Sequence, residues 1–172
     1  MRLATLPDYT WLYSHGYQPD GLKCAEAIIY DIVKRCPATF LDYGCGRGDL
    51  VCWINENAPG SFAIGYDPAT GAAPADLFSD WVISCDVLEH VPPEEIDATL
   101  RRMCGLAGFG LLLTIANMSD VHLVNREQVE LHLIQEPMPW WTEKLREHFP
   151  AAVIAGRPID AKGDRFAIVV EF

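Results

Sequence analysis

This sequence contains no run of about eighteen consecutive apolar residues, the minimum for a membrane-crossing helix. Its opening, MRLATLPDYTWLYSHGY, has one arginine and no sustained apolar core, so no secretory leader is expected. Positive charge is scarce: Lys and Arg number 13 against 24 Asp and Glu, for a net charge of −11. A protein that grips a nucleic-acid backbone normally shows a basic stripe, and here the densest basic stretch is Arg101-Arg102. A small neutral or cationic partner is favoured, or a phosphorylated one held by a few arginines. The six cysteines (24, 36, 45, 52, 85 and 104) form no CxxC pair, which argues against a disulfide framework and a structural zinc site. Four lie in apolar or helical runs and are expected as small buried residues in a reducing, cytoplasmic setting. Internal repeats, linkers and low-complexity segments are absent.

What is present is a chain that is 50% hydrophobic and long enough for one well-cored domain, 1–172. Apolar spacing predicts a helix over 20–35, with Asp20 as its cap, and strands at 38–43, 61–68, 81–85 and 108–117. Further helices follow the glycines at 44–48, begin at Pro92-Pro93-Glu94-Glu95, and follow Pro139. The chain ends in two strands, 151–156 and 165–172, separated only by PIDAKGD and read as an antiparallel pair. Strands alternating with helices predict a doubly wound α/β sheet, mostly parallel and Rossmann-like. Residues 118–137 show no clean periodicity.

The chemistry starts at DYGCGRGDL, 42–50. A dinucleotide fingerprint needs G-x-G-x-x-G, but Asp49 stands where the third glycine would fall. Asp42, at the end of a strand, would repel a pyrophosphate and attract an ammonium group. About twenty residues beyond the loop, Asp67 closes the second strand where an acid can accept hydrogen bonds from ribose hydroxyls. A ribose, an amino group and no pyrophosphate describe S-adenosylmethionine.

These stretches resemble the motifs of class I S-adenosylmethionine-dependent methyltransferases: DYGCGRG the first, GYDPA the second, and WVISCDVLEHVP the fourth-strand segment of the small-molecule branch. The resemblance covers roughly 20–117 and the terminal strand pair. It implies that Asp42, Gly44, Cys45 and Gly46 line the methionine end of the cofactor, that Asp67 and Pro68 meet the ribose, and that Asp86 sits near the transferring methyl or amino group. Residues 69–80 are too few, and too rich in alanine, glycine and proline, for the helix and third strand usual in the family. Asp76 is left as the candidate reader of the adenine amino group, and the open sheet edge would suit a homodimer.

The acceptor is less legible. No aromatic follows the prolines of DVLEHVPP and no cysteine follows a proline there, so the familiar routes to DNA-base methylation are absent. The expected acceptor is a small molecule methylated at oxygen or nitrogen. A nucleotide or nucleic-acid acceptor, marked by a patch of Arg47, Arg126 and Arg157, and a non-catalytic cofactor-binding subunit are the alternatives. The candidate catalytic residues are His132, His90 and Asp86. The D-x-x-E-H spacing of 86–90 resembles the metal-binding pattern of ubiquinone-pathway O-methyltransferases, but many relatives carry it without metal, and no metal is assigned. Segment 118–137 is read as an acceptor-pocket insertion, leading into HLIQEPMPWW, a stretch similar to that of small phage and bacterial methyltransferase-like proteins. In it His132 lines the pocket or caps a strand, and Trp141 packs in the core. The alternating Tyr9, Trp11, Tyr13, His15 and Tyr17 predict either a lid over the cofactor or an extended surface arm.

Overall fold

The computed structural model describes residues 1–17, 29–30, 32, 37–71 and 77–172. In chain order the elements are β1 (Arg2–Leu3), α1 (Leu6–Ser14), β2 (Thr39–Tyr43), α2 (Asp49–Asn57), β3 (Phe62–Tyr66), β4 (Ser79–Cys85), a 3₁₀ turn (Leu88–His90), α3 (Ile96–Leu106), β5 (Ala107–Ala116), β6 (Val121–Val124), β7 (Glu127–Glu130), α4 (Met138–His148), β8 (Val153–Pro158) and β9 (Arg165–Glu171). The helix expected over 20–35 lies almost wholly outside the described residues.

Alternation along the long strands divides the apolar residues between two layers. Leu111, Leu113 and Ile115 of β5, with Phe166, Ile168 and Val170 of β9, face Ile96, Leu100 and Met103 of α3 and Trp141 and Leu145 of α4. Phe40, Ile83, Leu112 and Ala167 point the other way, onto Leu50 and Ile54 of α2 and onto Ile29. Covering both faces explains why β5 is apolar throughout. Each large side chain buried this way contributes about 1.5–3 kcal/mol relative to exposure. Trp141 is fully buried, as its core reading required.

The main sheet has the order β3-β2-β4-β5-β9-β8. β2 pairs in parallel with β3 on one side and β4 on the other, and β9 runs antiparallel to both β5 and β8. Among the described residues no strand lies between β3 and β4 in the chain, which leaves β3 at a sheet edge, as the composition of 69–80 predicts. The connections from β2 diverge to opposite sides, so the crevice between the ends of β2 and β4 is the topological switch point where α/β sheets receive ligands.

Four expectations are corrected. Pro92 to Glu95 form a turn and α3 begins at Ile96, because two successive prolines remove amide donors. Cys52 is exposed, since it faces outward on α2. Segment 118–137 contains a hairpin, β6–β7, whose turn at Asn125-Arg126 takes positive φ at both residues. Such a turn matches strand twist but normally advertises itself with glycine, which is missing here. The N-terminal segment is helical rather than extended: Thr5 and Asp8 form a reciprocal capping box, with Pro7 in the first turn.

The last two corrections belong together. β1 pairs in parallel with β7, making a second, three-stranded sheet β1-β7-β6. Ala4, Leu12, Val124, Val129 and Leu131 form its own small core. Arg2 grips Asp8 through two hydrogen bonds of 2.7 Å, and this guanidinium holds the Asp8 carboxyl well below the usual carboxylate range. The N-terminal segment and the β6–β7 hairpin thus form one cap with its own core.

Candidate functional site

The first wall of the site is the glycine loop. Gly44 and Cys45 both donate their amides to the carbonyl of Tyr66, at 2.7 and 3.1 Å, which folds the loop back across the end of β3. Gly44 has φ +90°, and a Cβ there would meet Val87 Cγ2 at 2.4 Å. Gly48 opens α2 from the left-handed region. Asp67 ties the second strand to the loop: one carboxylate oxygen accepts from Gly46 N at 2.9 Å, the other from Ala69 N at 2.7 Å and Thr70 N at 3.3 Å.

Asp42 sits at the bottom of the crevice, 3% exposed, with no cation facing it among the described residues. Burial, reinforced by the charge of Asp67, pushes its carboxyl up to about 7. Asp86 takes φ +51° just past β4, accepts a hydrogen bond from Thr114 Oγ1 at 2.8 Å, and forms an ion pair with Arg165 at 3.2 Å. Asp42, Asp67 and Asp86 therefore stand at the ends of three neighbouring strands.

Above Asp86, Glu89 joins the body to the cap. Its Oε1 accepts from Ala116 N at 2.8 Å, while its own carbonyl accepts from Leu133 N and Ile134 N at 2.7 and 3.0 Å. Complete burial, then the nearby Asp86, raises its carboxyl well above the ordinary range. His90 Nδ1 donates to the carbonyl of Leu131 at 2.9 Å, with the Tyr9 hydroxyl 3.0 Å away donating to the same carbonyl. Burial, then His132, lowers the His90 pKa to about 4, so the ring is neutral at physiological pH. His132, only 6% exposed, hydrogen-bonds through Nδ1 to the carbonyl of Met118, and its Nε2 is 3.9 Å from Asp120 Oδ2. Glu130 holds this segment in place by accepting from Ser119 Oγ, Asp120 N and His132 N.

One cavity of about 1180 Å³ runs through these features. Asp42, Gly44, Cys45, Asp67, Pro68, Asp86, His90 and His132 line it together. Gly46 does not reach it, because Tyr13 of α1 covers the position its Cβ would take. Asp76 lies outside the described residues. Of the three arginines named for a basic patch, Arg47 lines the cavity, Arg126 turns the β6–β7 hairpin and Arg157 is on the edge strand β8. Sequence reasoning missed Arg165, Thr114 and Arg102, which also border the site; none sits in a motif, and an arginine opening an apolar strand gives no local signal.

The sequence matches no protein-family model and no curated protein. Comparison with solved structures gives clear relatives in three dimensions. The 1,6-didemethyltoxoflavin-N1-methyltransferase of Burkholderia thailandensis, solved with 1,6-didemethyltoxoflavin and S-adenosylhomocysteine, superposes with a TM-score of 0.70 at 17% identity, over 96% of this chain and 86% of its own. The methyltransferase domain of a bacterial Hen1 gives 0.63 at 14% identity, over 88% and 97%. Magnesium protoporphyrin IX methyltransferase from Synechocystis PCC 6803, with S-adenosylhomocysteine bound, gives 0.58 at 19% identity, over 94% and 92%. Strand order, switch point and glycine loop together with these superpositions show that the chain carries the class I S-adenosylmethionine-dependent methyltransferase fold.

Proposed function

We propose that this protein is an S-adenosylmethionine-dependent methyltransferase acting on oxygen or nitrogen of a small-molecule acceptor. The observation that carries the reading is the trio Asp42, Asp67 and Asp86 around the switch-point crevice, beside a glycine loop that leaves its backbone open to a ligand. The residues fit that cofactor: a buried carboxylate with no cation beside it suits an ammonium group, and a wall of acids rejects a pyrophosphate. Asp42, Gly44 and Cys45 would hold its amino-acid end, with Asp67 and Pro68 at the ribose. When bound, it supplies an electrophilic methyl group on a sulfonium.

The chain's own part is mainly positioning, which can account for several kcal/mol of barrier lowering in such a transfer. His90 and His132 line the cavity rather than turning into the core, which favours an acceptor-binding role over a non-catalytic subunit. His132 Nε2 can orient the acceptor's O–H or N–H, with Asp86 held by Thr114 and Arg165 on the same cavity wall. We assign residues 118–137 and the N-terminal helix to the acceptor side and lid of a single domain. One structural relative belongs to an RNA repair complex. For this chain the net charge of −11, and the placement of Arg47, Arg126 and Arg157 on separate elements, favour a small acceptor.

Calorimetric titration with S-adenosylmethionine and S-adenosylhomocysteine tests the reading. Micromolar binding is expected for both, weakened about tenfold in Asp67→Asn, which loses a charge-assisted acceptor for the loop amides. Absence of binding to either ligand overturns it.

A further inference from the structure

Tyr13, Tyr17 and His122 form one chain of edge-to-face ring contacts along the cavity, with centroids 5.8 and 5.3 Å apart. Tyr9, His90 and His132 form a second, at 5.4 and 4.7 Å. Asp120 joins the two: its Oδ1 accepts from His122 Nε2 at 2.9 Å, and its Oδ2 is 3.9 Å from His132 Nε2. Glu130 fixes Asp120 by accepting from its amide at 2.8 Å, and the Asp120 carbonyl accepts from Leu131 N at 2.9 Å. The Asp120 side chain is 31% exposed and lines the cavity, so a ligand can reach it. A carboxylate set among steeply inclined aromatic rings is the make-up of a cage that attracts cations. The surrounding charge agrees: carboxylates outnumber arginines seven to three along the cavity, and Arg165 is paired with Asp86.

We propose that the methyl acceptor is an amine, held in its ammonium form between Asp120 and this belt of tyrosine and histidine rings. The inference rests on the methyltransferase reading and narrows its acceptor from oxygen or nitrogen to nitrogen. An ammonium ion draws on both the carboxylate and the rings. A hydroxyl gains one hydrogen bond from Asp120 and nothing from the rings as a charge. A carboxylate acceptor is repelled by Asp120 and by the excess of acids around it.

An ammonium ion has no lone pair, so it must shed a proton before it can attack. That loss is favoured beside another positive charge, here the sulfonium. His132 receives the proton: its Nδ1 donates to the Met118 carbonyl, which leaves the lone pair on Nε2, the nitrogen that faces Asp120. The new N–C bond forms as the sulfonium S–C bond breaks, and that electron pair remains on sulfur. The product is a methylated ammonium ion, so the charge facing Asp120 is the same before and after transfer. His90, engaged by the backbone of Leu131 and Asp86, serves only as a wall.

The test is calorimetry of benzylammonium, benzyl alcohol and benzoate against the full-length protein in excess S-adenosylhomocysteine. Benzylammonium is expected to bind at least about tenfold more tightly than benzyl alcohol, with benzoate the weakest of the three. Asp120→Asn should remove that preference while leaving the affinity for benzyl alcohol nearly unchanged. Tyr17→Leu should weaken the ammonium about threefold more than the alcohol, and circular dichroism checks that both variants fold. The wild-type ranking is a readout independent of the variants. Benzylammonium binding no tighter than benzyl alcohol, or a preference that survives in folded Asp120→Asn, overturns the amine reading. Titration with S-adenosylhomocysteine alone separates the two readings. Cofactor binding without an ammonium preference overturns only the acceptor class. An ammonium preference in a protein that does not bind the cofactor supports the cation site and overturns its role in methyl transfer.

Discussion

Gly44→Ala is expected to fold yet bind S-adenosylhomocysteine at least about a hundredfold more weakly than the wild type. Gly44 holds φ +90°, where an L side chain costs about 1–2 kcal/mol. The larger effect is steric. The new Cβ would lie 2.4 and 2.6 Å from the two methyl carbons of Val87, so either Val87 or the loop must move. Val87 follows Asp86, and the loop is held by the two amides on the Tyr66 carbonyl; displacement in either direction deforms the crevice from one wall. A loss of about 2.8 kcal/mol in binding corresponds to the hundredfold. Gly48→Ala is the matched control: its φ is +82°, but nothing lies within 4 Å of the added methyl. It should lose comparable conformational stability and retain affinity within a few-fold. Thermal unfolding and calorimetry on both variants separate the terms, and wild-type affinity in Gly44→Ala would mean that the ligand does not approach this loop.

Much of the sheet was legible because its signals are local. Leu41, Asp42 and Gly44 in succession announce a strand ending in a turn, and β5 and β9 declare their burial by unbroken apolar runs. That no strand stands between β3 and β4 among the described residues was also readable, from the proline, glycine and alanine of the segment joining them. The carboxylates Asp42, Asp67 and Asp86 were legible for the same reason: each closes a recognisable strand.

The cap was not legible, and the cause is the range of its contacts. β1 has only two residues, Arg2 and Leu3, and becomes a strand solely by pairing with Val129 and Glu130, far away in the sequence. The parts that build it, α1 and the β6–β7 hairpin, read separately as an aromatic arm and an aperiodic insertion, because a small core of Ala4, Leu12, Val124, Val129 and Leu131 produces no long apolar stripe in either segment. The alternation of Tyr9, Trp11, Tyr13, His15 and Tyr17 suggested extended backbone, yet Thr5, Pro7 and Asp8 supply a helix start that outweighs it. The consequence reaches the site. His132, whose ring packs edge-on against that of His90, is placed by Glu130, which ties its amide and that of Asp120. No spacing rule connects it to Glu89 and His90 across more than forty residues.

Cofactor affinity is expected to rise about tenfold per pH unit from roughly pH 5 to pH 7, then fall again above about pH 8. In the free protein burial raises Asp42 to about 7, so below that pH the carboxyl is mostly neutral, and an ammonium group can bind it only after it loses its proton. Each unit of acidity then costs about 1.4 kcal/mol of binding. On the alkaline side an α-amino group, with a pKa of about 8, loses its own charge, leaving an optimum between the two. Protein stability runs the other way. A carboxyl raised by folding keeps its proton while the unfolded chain has already lost it, so its contribution favours the fold below about pH 4 and is lost as pH rises through about 7. Ligand binding opposes that loss, and the rise in melting temperature on adding S-adenosylhomocysteine should therefore be larger at pH 7.5 than at pH 6 (roughly the two sides of the Asp42 transition). Asp42→Asn removes the titration: its affinity profile should be flat on the acid limb and lie well below the wild type at neutral pH, where the carboxylate is missing. Calorimetry in buffers of differing ionisation enthalpy measures the same event directly, as about one proton released per ligand bound near pH 6. A wild-type profile that stays flat across this range would show that Asp42 does not meet the cofactor's amino group, and would move the methionine end of the ligand away from β2.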